Sequence, residues 1–399
     1  MAARGRSLLL IVLAQVLALS VWFSGAASLP GLIAAGDLPP LRQAALTSAV
    51  QAGFVLGAIA SAVLGLPDRF NARRVFCAGA IVAALANILA LACPPGGLAM
   101  IATRFCAGAA LALVYPVGMK LATSWARGDS GFLVGLLVGA LTLGSALPFV
   151  FSADGPGVTW QAPFAISAVA ALGAAALILG AGDGPGLRPA PPFRPGAVLL
   201  AFRDPALRLA NLGYLGHMWE LYAMWAWIGP FALAYWSTHE AGGQAAAMTA
   251  FAVIAIGAPA SLIAGHLADR ISRTAITIGA MAISGSCAIL AGLAFEAPAI
   301  VVVPLLLVWG MAVIADSAQF SAAVAELSPP ELTGTLLTLQ TALGFALTAV
   351  VVQVLPIWIG FAGWQWGFAP LAIGPFMGVV AMARLRARPE AARLAGGRR

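Results

Sequence analysis

The chain has 399 residues, of which 61% are hydrophobic and 9% charged, with a mean hydropathy of +0.97. A water-facing surface needs far more charge, so an ordinary soluble domain is excluded and the chain lives in a bilayer. The net charge of +7 does not mark a nucleic-acid binder, because the arginines are spread over the ends of apolar stretches.

Runs of about 20 apolar residues, long enough to cross a hydrocarbon core of roughly 30 Å as helices, recur along the whole chain. They predict twelve spans: 8–34, 42–66, 74–93, 98–123, 131–152, 160–181, 207–235, 243–265, 275–295, 298–323, 334–358 and 363–384. The division is a first half over 1–182, a linker rich in Pro, Gly and Arg over 183–206, a second half over 207–386 and a basic tail over 387–399. With twelve crossings the arginine clusters fall on one side, and the opposite loops hold only Arg42. This positive-inside bias predicts a bacterial inner membrane protein with both termini cytoplasmic. The basic start, Met1 to Arg6, leads straight into a full span, so no cleavable signal is expected. Cys77, Cys93, Cys106 and Cys287 have no paired spacing and read as small core residues, with no metal or other cofactor implied.

Span one offers Gln15, Ser20, Trp22 and Ser24 but no charge. After span two comes Leu64-Gly-Leu-Pro-Asp68-Arg69-Phe-Asn-Ala-Arg73-Arg74, and after span eight Gly265-His-Leu-Ala-Asp269-Arg270-Ile-Ser-Arg273-Thr274. Asp68 and Asp269 lie 201 positions apart, about half the chain, so the protein reads as two copies of one six-helix unit. In each loop a glycine lets backbones pass closely, an Asp-Arg pair turns the chain, and further arginine opens the next helix at the aqueous boundary. The carboxylate can cap the N-terminus of a neighbouring helix.

In span four Arg104, Gly108 and Tyr115 fall along one helical stripe. An intramembrane arginine is costly and is expected to face a water-filled cavity or an anionic partner, the alternative being that it snorkels to the surface. Span five carries Gly135-x-x-x-Gly139-Ala140-x-x-x-Gly144-x-x-x-Pro148, first of all a packing seam. Only two carboxylates lie well inside spans, Glu220 and Asp316. Glu220 shares a face of span seven with His217, Met224 and Trp227, and a carboxylate beside an imidazole can bind and release a proton. Structural pairing at a helix contact is the competing reading. Adding 201 to Trp22 reaches position 223, next to Trp225, which suits a central aromatic site at the repeat interface, with interfacial belting as the alternative. Asp316, Gln319 and Phe320 share a face of span ten, where Asp316 can serve a polar solute or pair with a loop arginine.

The two loops resemble those between helices two and three, and eight and nine, of major facilitator superfamily transporters. Arg104-Phe-Cys-Ala-Gly108 looks like the superfamily's Arg-x-x-x-Gly signature of helix four. Span five is similar to the glycine-rich motif of its antiporters, with Ala140 where a proline and Leu143 where a glycine is usual. In the first loop Leu64 holds the usual glycine position and Asn71 the second one. Asparagine tolerates the left-handed conformation, so the turn is expected to survive there.

The resemblance implies an all-α integral membrane protein, with twelve transmembrane helices in two pseudo-symmetric six-helix halves. It implies a secondary transporter rather than an enzyme, and gating roles for Asp68, Arg69, Arg73, Gly265, Asp269, Arg270 and Arg273. Substrate or proton-coupling candidates are Arg104, Tyr115, His217, Glu220, Trp225, Asp316 and Gln319. The superfamily's nitrate porters use arginines in helices two and eight. Here span two has only Arg42 at its edge, which disfavours nitrate. The helix-one acid of many drug and sugar porters is also absent. The expectation is a monomer moving a small organic anion or polar metabolite with protons as coupling ion. The alternatives are proton-linked efflux of amphipathic compounds, or a receptor or embedded enzyme on the same scaffold. Against an enzyme stand the missing metal-ligand spacing, nucleophile elbow and phosphate loop.

Overall fold

The computed structural model describes residues 2–36, 38–127, 129–152, 159–188, 191, 193–239 and 242–398. Among them no strand occurs. Ten uninterrupted or kinked helices are long and apolar enough to cross a membrane. Two more complete the twelve. Span one is broken into Ala2–Leu19, Ser24–Ala27 and Leu29–Ala35. Span seven, Pro205–Thr238, is a single long helix whose apolarity is diluted by His217, Glu220 and several Trp and Tyr residues.

The remaining spans are Pro40–Leu64 (two), Ala72–Leu91 (three), Leu98–Leu111 with Tyr115–Thr123 (four), Ser130–Phe151 (five) and Gln161–Leu179 (six). In the second half they are Gly243–Ala255 with Gly257–Arg270 (eight), Arg273–Leu293 (nine), Ala299–Ala315 with Ser317–Leu327 (ten), Thr333–Ala362 (eleven) and Trp364–Arg386 (twelve). Spans one, four, eight and ten, expected as continuous, are each broken, and span twelve opens with Trp364–Gly367 and the 3-10 turn Ala369–Ala372 before Ile373–Arg386. In spans four and eight a proline follows the break, Pro116 and Pro259. Proline lacks the N–H, clashes with the carbonyl four residues back and disfavours helix in the residue before it. Pro30 likewise follows the second break of span one, whereas its first break and the break in span ten have no proline.

Close crossings are built twice. A Cβ on Gly108 would collide with the Val50 carbonyl of span two, and one on Gly310 with the Val253 carbonyl of span eight. These glycines let spans two and four, and eight and ten, approach to backbone contact, where dispersion replaces the hydrophobic drive that lipid does not supply. The halves meet along two seams, span two on span eleven and span five on span eight. Asp68's loop turns at Gly65, whose φ of +60° is left-handed. Asn71 is not left-handed: at φ −60° its side chain caps span three by accepting from the Arg73 and Arg74 N–H groups. The late glycine, rather than the asparagine, makes the turn.

Gly108→Val and Gly310→Val should each destabilise the protein by about 1–3 kcal/mol or more through overpacking, read as a lower Tm in detergent. An unchanged Tm in both would count against these crossings.

Candidate functional site

An aromatic cluster lies where the halves meet. Span one's break carries Trp22 and Phe23. Span two adds Phe54, span seven Tyr222 and Trp225, and span eleven Phe345. Five ring contacts cross between halves: Trp22–Tyr222 stacked at 5.7 Å, Trp22–Phe345 at 5.3 Å, Phe23–Tyr222 at 6.1 Å, Phe23–Trp225 at 5.9 Å and Phe54–Phe345 at 4.6 Å. Such pairs contribute about 0.5–1.5 kcal/mol each, so the centre is shut by ring faces. The same elements carry buried polar atoms without hydrogen-bond partners: the indole N–H groups of Trp22 and Trp225, and both amide atoms of Gln51 and of Gln340. At membrane depth an unpaired polar group is costly, so these atoms mark where a polar ligand would be received.

Arg104 is wholly buried beside this cluster. Its Nη1 donates to Asn87 Oδ1 at 2.5 Å, and its Nη2 to the Val21 and Trp22 carbonyls at 2.7 and 3.1 Å. The break in span one takes away the helical donors of these carbonyls, and the guanidinium replaces them, joined at the Val21 carbonyl by Ser24 Oγ at 2.9 Å. Asn87 in turn donates to Ser24 Oγ and the Phe164 carbonyl, and the Phe164 ring lies 5.4 Å from the guanidinium carbon. Nε of Arg104 has no hydrogen-bond partner. Tyr115 opens the second segment of span four, and its carbonyl accepts from Gln15 at 3.5 Å.

Inside the second half, spans seven, nine and ten bring three titratable groups together. Glu220 accepts from Ser284 Oγ at 2.8 Å and from Trp309 Nε1 at 2.7 Å. The sequence pairs His217 with Glu220. The structure instead sets His217 Nδ1 2.8 Å from Asp316 Oδ1, with both side chains buried. Residues three apart share a helix face, but here the imidazole reaches the break in span ten while the carboxyl reaches spans nine and ten one turn on. Nor does Asp316 meet a loop arginine. His217 Nε2 has no partner, and the ring is flanked by Tyr214 and Phe320.

At the arginine-rich face, the loop after span eight is gathered around Arg273. Its guanidinium donates to Glu326 Oε1 and Oε2 at 2.7 and 3.1 Å, to Gln319 Oε1 at 2.6 Å and to Asp269 Oδ1 at 3.2 Å. Asp269 faces Gly131 at the start of span five, across the seam between halves. A side chain at Gly265 would meet the Gln319 amide only at an ordinary 3.9 Å, so this glycine is not required by packing there. In the first half, Asp68 is bonded by Lys120 of span four, and Arg73 by Asp183 at 3.2 Å and the Ala181 carbonyl at 2.8 Å. Arg69 and Arg270 are exposed. At the opposite face Ser48 donates to Gln353 Oε1 at 2.8 Å, and Gln353 to the Leu41 carbonyl at 2.8 Å, tying spans two and eleven. A cavity of about 470 Å³ on that side lies among Ser28, Phe149, Trp160, Gly229 and Gln244.

The sequence reading passed over Asn87, Ser284, Lys120, Glu326 and Gln51. Asn87 and Gln51 had a signal, each being a polar side chain in the middle of an apolar run.

A family model described as the Major Facilitator Superfamily matches residues 11–352. No curated protein matches the sequence. Among solved structures, a D-xylose-proton symporter superposes with a TM-score of 0.76 at 16% identity, over 98% of this chain and 99% of the other. The proton:xylose symporter XylE bound to 6-bromo-6-deoxy-D-glucose gives 0.69 at 17% identity, over 96% and 95%. A partially occluded inward-open form of the xylose transporter XylE from E. coli gives 0.70 at 16%, over 96% and 97%.

Arg104→Met should leave the Trp22 carbonyl without its donor and strip the Val21 carbonyl and the Asn87 amide oxygen of their charged donor, leaving them only Ser24, at about 1–3 kcal/mol for a buried group left unpaired. The expected outcome is a Tm several degrees lower. Arg104→Lys should recover part of the loss, and a Tm unchanged by both variants would contradict this tie.

Proposed function

The chain belongs to the major facilitator superfamily, and on that premise we propose that it is a proton-coupled secondary transporter of a small, uncharged polar solute. The observation that carries this reading is the shut aromatic centre with its unpaired indole and amide groups, contributed by both halves. Ring faces suit the apolar faces of a polyhydroxylated solute, while mixed donors and acceptors suit its hydroxyls. Alternating access then follows from rocking the halves: the solute replaces the ring contacts that close the centre, and one face opens as the other closes. Solved neighbours described as xylose–proton symporters agree with such a substrate class.

Arg104 favours an uncharged solute over an organic anion, because its two terminal nitrogens are already used on Asn87 and the broken span. Efflux of amphipathic compounds would use the ring faces but leave the Gln51 and Gln340 amides without partners. Proton coupling is assigned to Asp316, His217 and Glu220. Asp316 and His217 form a buried contact whose charge changes with one proton, and Glu220 is held by neutral donors only. The bacterial inner membrane, with the arginine-rich face cytoplasmic, follows from the charge bias.

A thermal-stability screen against sugars and polyols, organic anions and lipophilic cations tests the substrate class. A ligand at 100 times its Kd stabilises by roughly 2.7 kcal/mol, enough to detect. Sugars or polyols should raise the Tm of the wild type and not of Gln51→Leu. Stabilisation by anions alone, lost in Arg104→Lys, would overturn the neutral-solute reading.

A further inference from the structure

Spans four and ten break at equivalent places. Tyr115, which opens the second segment of span four, and Asp316, at the break in span ten, are 201 positions apart, the same spacing as Asp68 and Asp269. In both halves the short segment beyond the break is hooked to the Asp-Arg loop. Tyr115–Thr123 carries Lys120, which holds Asp68 and also donates to the Pro67 carbonyl at 3.4 Å. Ser317–Leu327 carries Gln319 and Glu326, which hold Arg273. The halves differ at the break itself. In span four Gln15 meets a backbone carbonyl of Tyr115, a contact that no proton changes near neutral pH. In span ten the break is occupied by a carboxylate against an imidazole.

We infer that the segment Ser317–Leu327 is the lever by which the proton site works the gate at the arginine-rich face, with Gln319 as the positioning residue that transmits its movement to Arg273. This rests on the proton-coupling role assigned above to Asp316 and His217. Asp316 is the N-cap residue of the segment and Gln319, three positions on, lies in its first turn on the same face. Placing a proton on Asp316 removes the charge that holds it to His217, and the segment is then free to swing about the break. Gln319 goes with it, pulling on the nitrogen of Arg273 adjacent to the one that binds Asp269 and Glu326. Asp269 faces the start of span five, so this shift reaches the seam between halves.

The charged and titratable groups facing the segment are few. Among the elements packed on it, span seven carries Arg208, His217 and Glu220, span eight His266, Asp269 and Arg270, and span nine Arg273. The C-terminal 3-10 helix Pro389–Gly397, also packed on it, brings Glu390 and Arg393. The described residues of spans five and eleven bring none. In this arrangement only one of the two pseudo-symmetric gates answers to protons.

Spin labels at Phe70 and Ile271, both exposed and one on each gate loop, would report the opening in a variant with its four cysteines replaced. The purified full chain in lipid nanodiscs would be measured at pH 5.5 and 8, in parallel with NMR titration of the His217 imidazole. In the otherwise wild-type background, the ratio of long to short distances should change by roughly fivefold or more between the two pH values. Asp316→Asn should show the long-distance population at both. Gln319→Leu should abolish the pH response while His217 still titrates, and Gln319→Glu, which keeps an acceptor for Arg273, should restore it. A pH response that survives in Gln319→Leu overturns the lever and leaves the proton site standing. No response in the wild-type background while His217 titrates also overturns the lever. If neither the distances nor His217 respond, the lever and the proton site both fall.

Discussion

Inside a bilayer no water is present to satisfy a backbone carbonyl, and every irregular turn at membrane depth must find its donors within the protein. The break in span one shows how far this constraint reaches. It swings Trp22 and Phe23 out of a helical register and into the seam between halves, where they meet Tyr222, Trp225 and Phe345. The Val21 and Trp22 carbonyls released by the break are taken up by Arg104, itself held by Asn87 and lying over the Phe164 ring. A buried guanidinium is tolerable here because its terminal nitrogens are occupied, and the aromatic centre keeps its shape because that guanidinium is fixed. Span three, span four and the central cluster therefore stand or fall together.

The second half sets titratable groups at its break instead. Its inner break, at Asp316, is faced by His217, and Glu220 one turn along span seven draws in Ser284 and Trp309. The sequence repeat makes the two halves alike in their loops and in the breaks of spans four and ten, although span one is broken where span seven is continuous, and span eight where span two is. Their interiors nevertheless diverge, one stiffened by a permanent cation and the other furnished with groups whose charge can change. Pseudo-symmetry suits the proposed rocking of the halves, and the departure from it is where the proposed proton site lies.

Much of the fold was legible because its signals are repeated: twelve apolar runs and two Asp-Arg loops 201 residues apart. Glu220, His217 and Asp316 stood out because charge at membrane depth is costly. Their partners were less legible. A helix-face argument placed His217 with Glu220, since it registers only residues on one helix, whereas the pairing was decided by where span ten breaks. That break has no proline or glycine at it to announce it, unlike the one before Pro116. Lys120 and Glu326 carry no signal of their own in the sequence, and only the folded chain sets them against Asp68 and Arg273.

The central claim, that a proton bound in the second half drives movement of a solute held between the halves, is tested most directly in sealed proteoliposomes containing a lumenal pH dye. A sugar or polyol that stabilises the purified protein would be added outside with no pH gradient imposed. The account predicts that solute entry carries protons inward and acidifies the lumen in the wild type, and that Asp316→Asn and Glu220→Gln bind the solute but move no protons with it. Solute entry at full rate without any change in lumenal pH would contradict it.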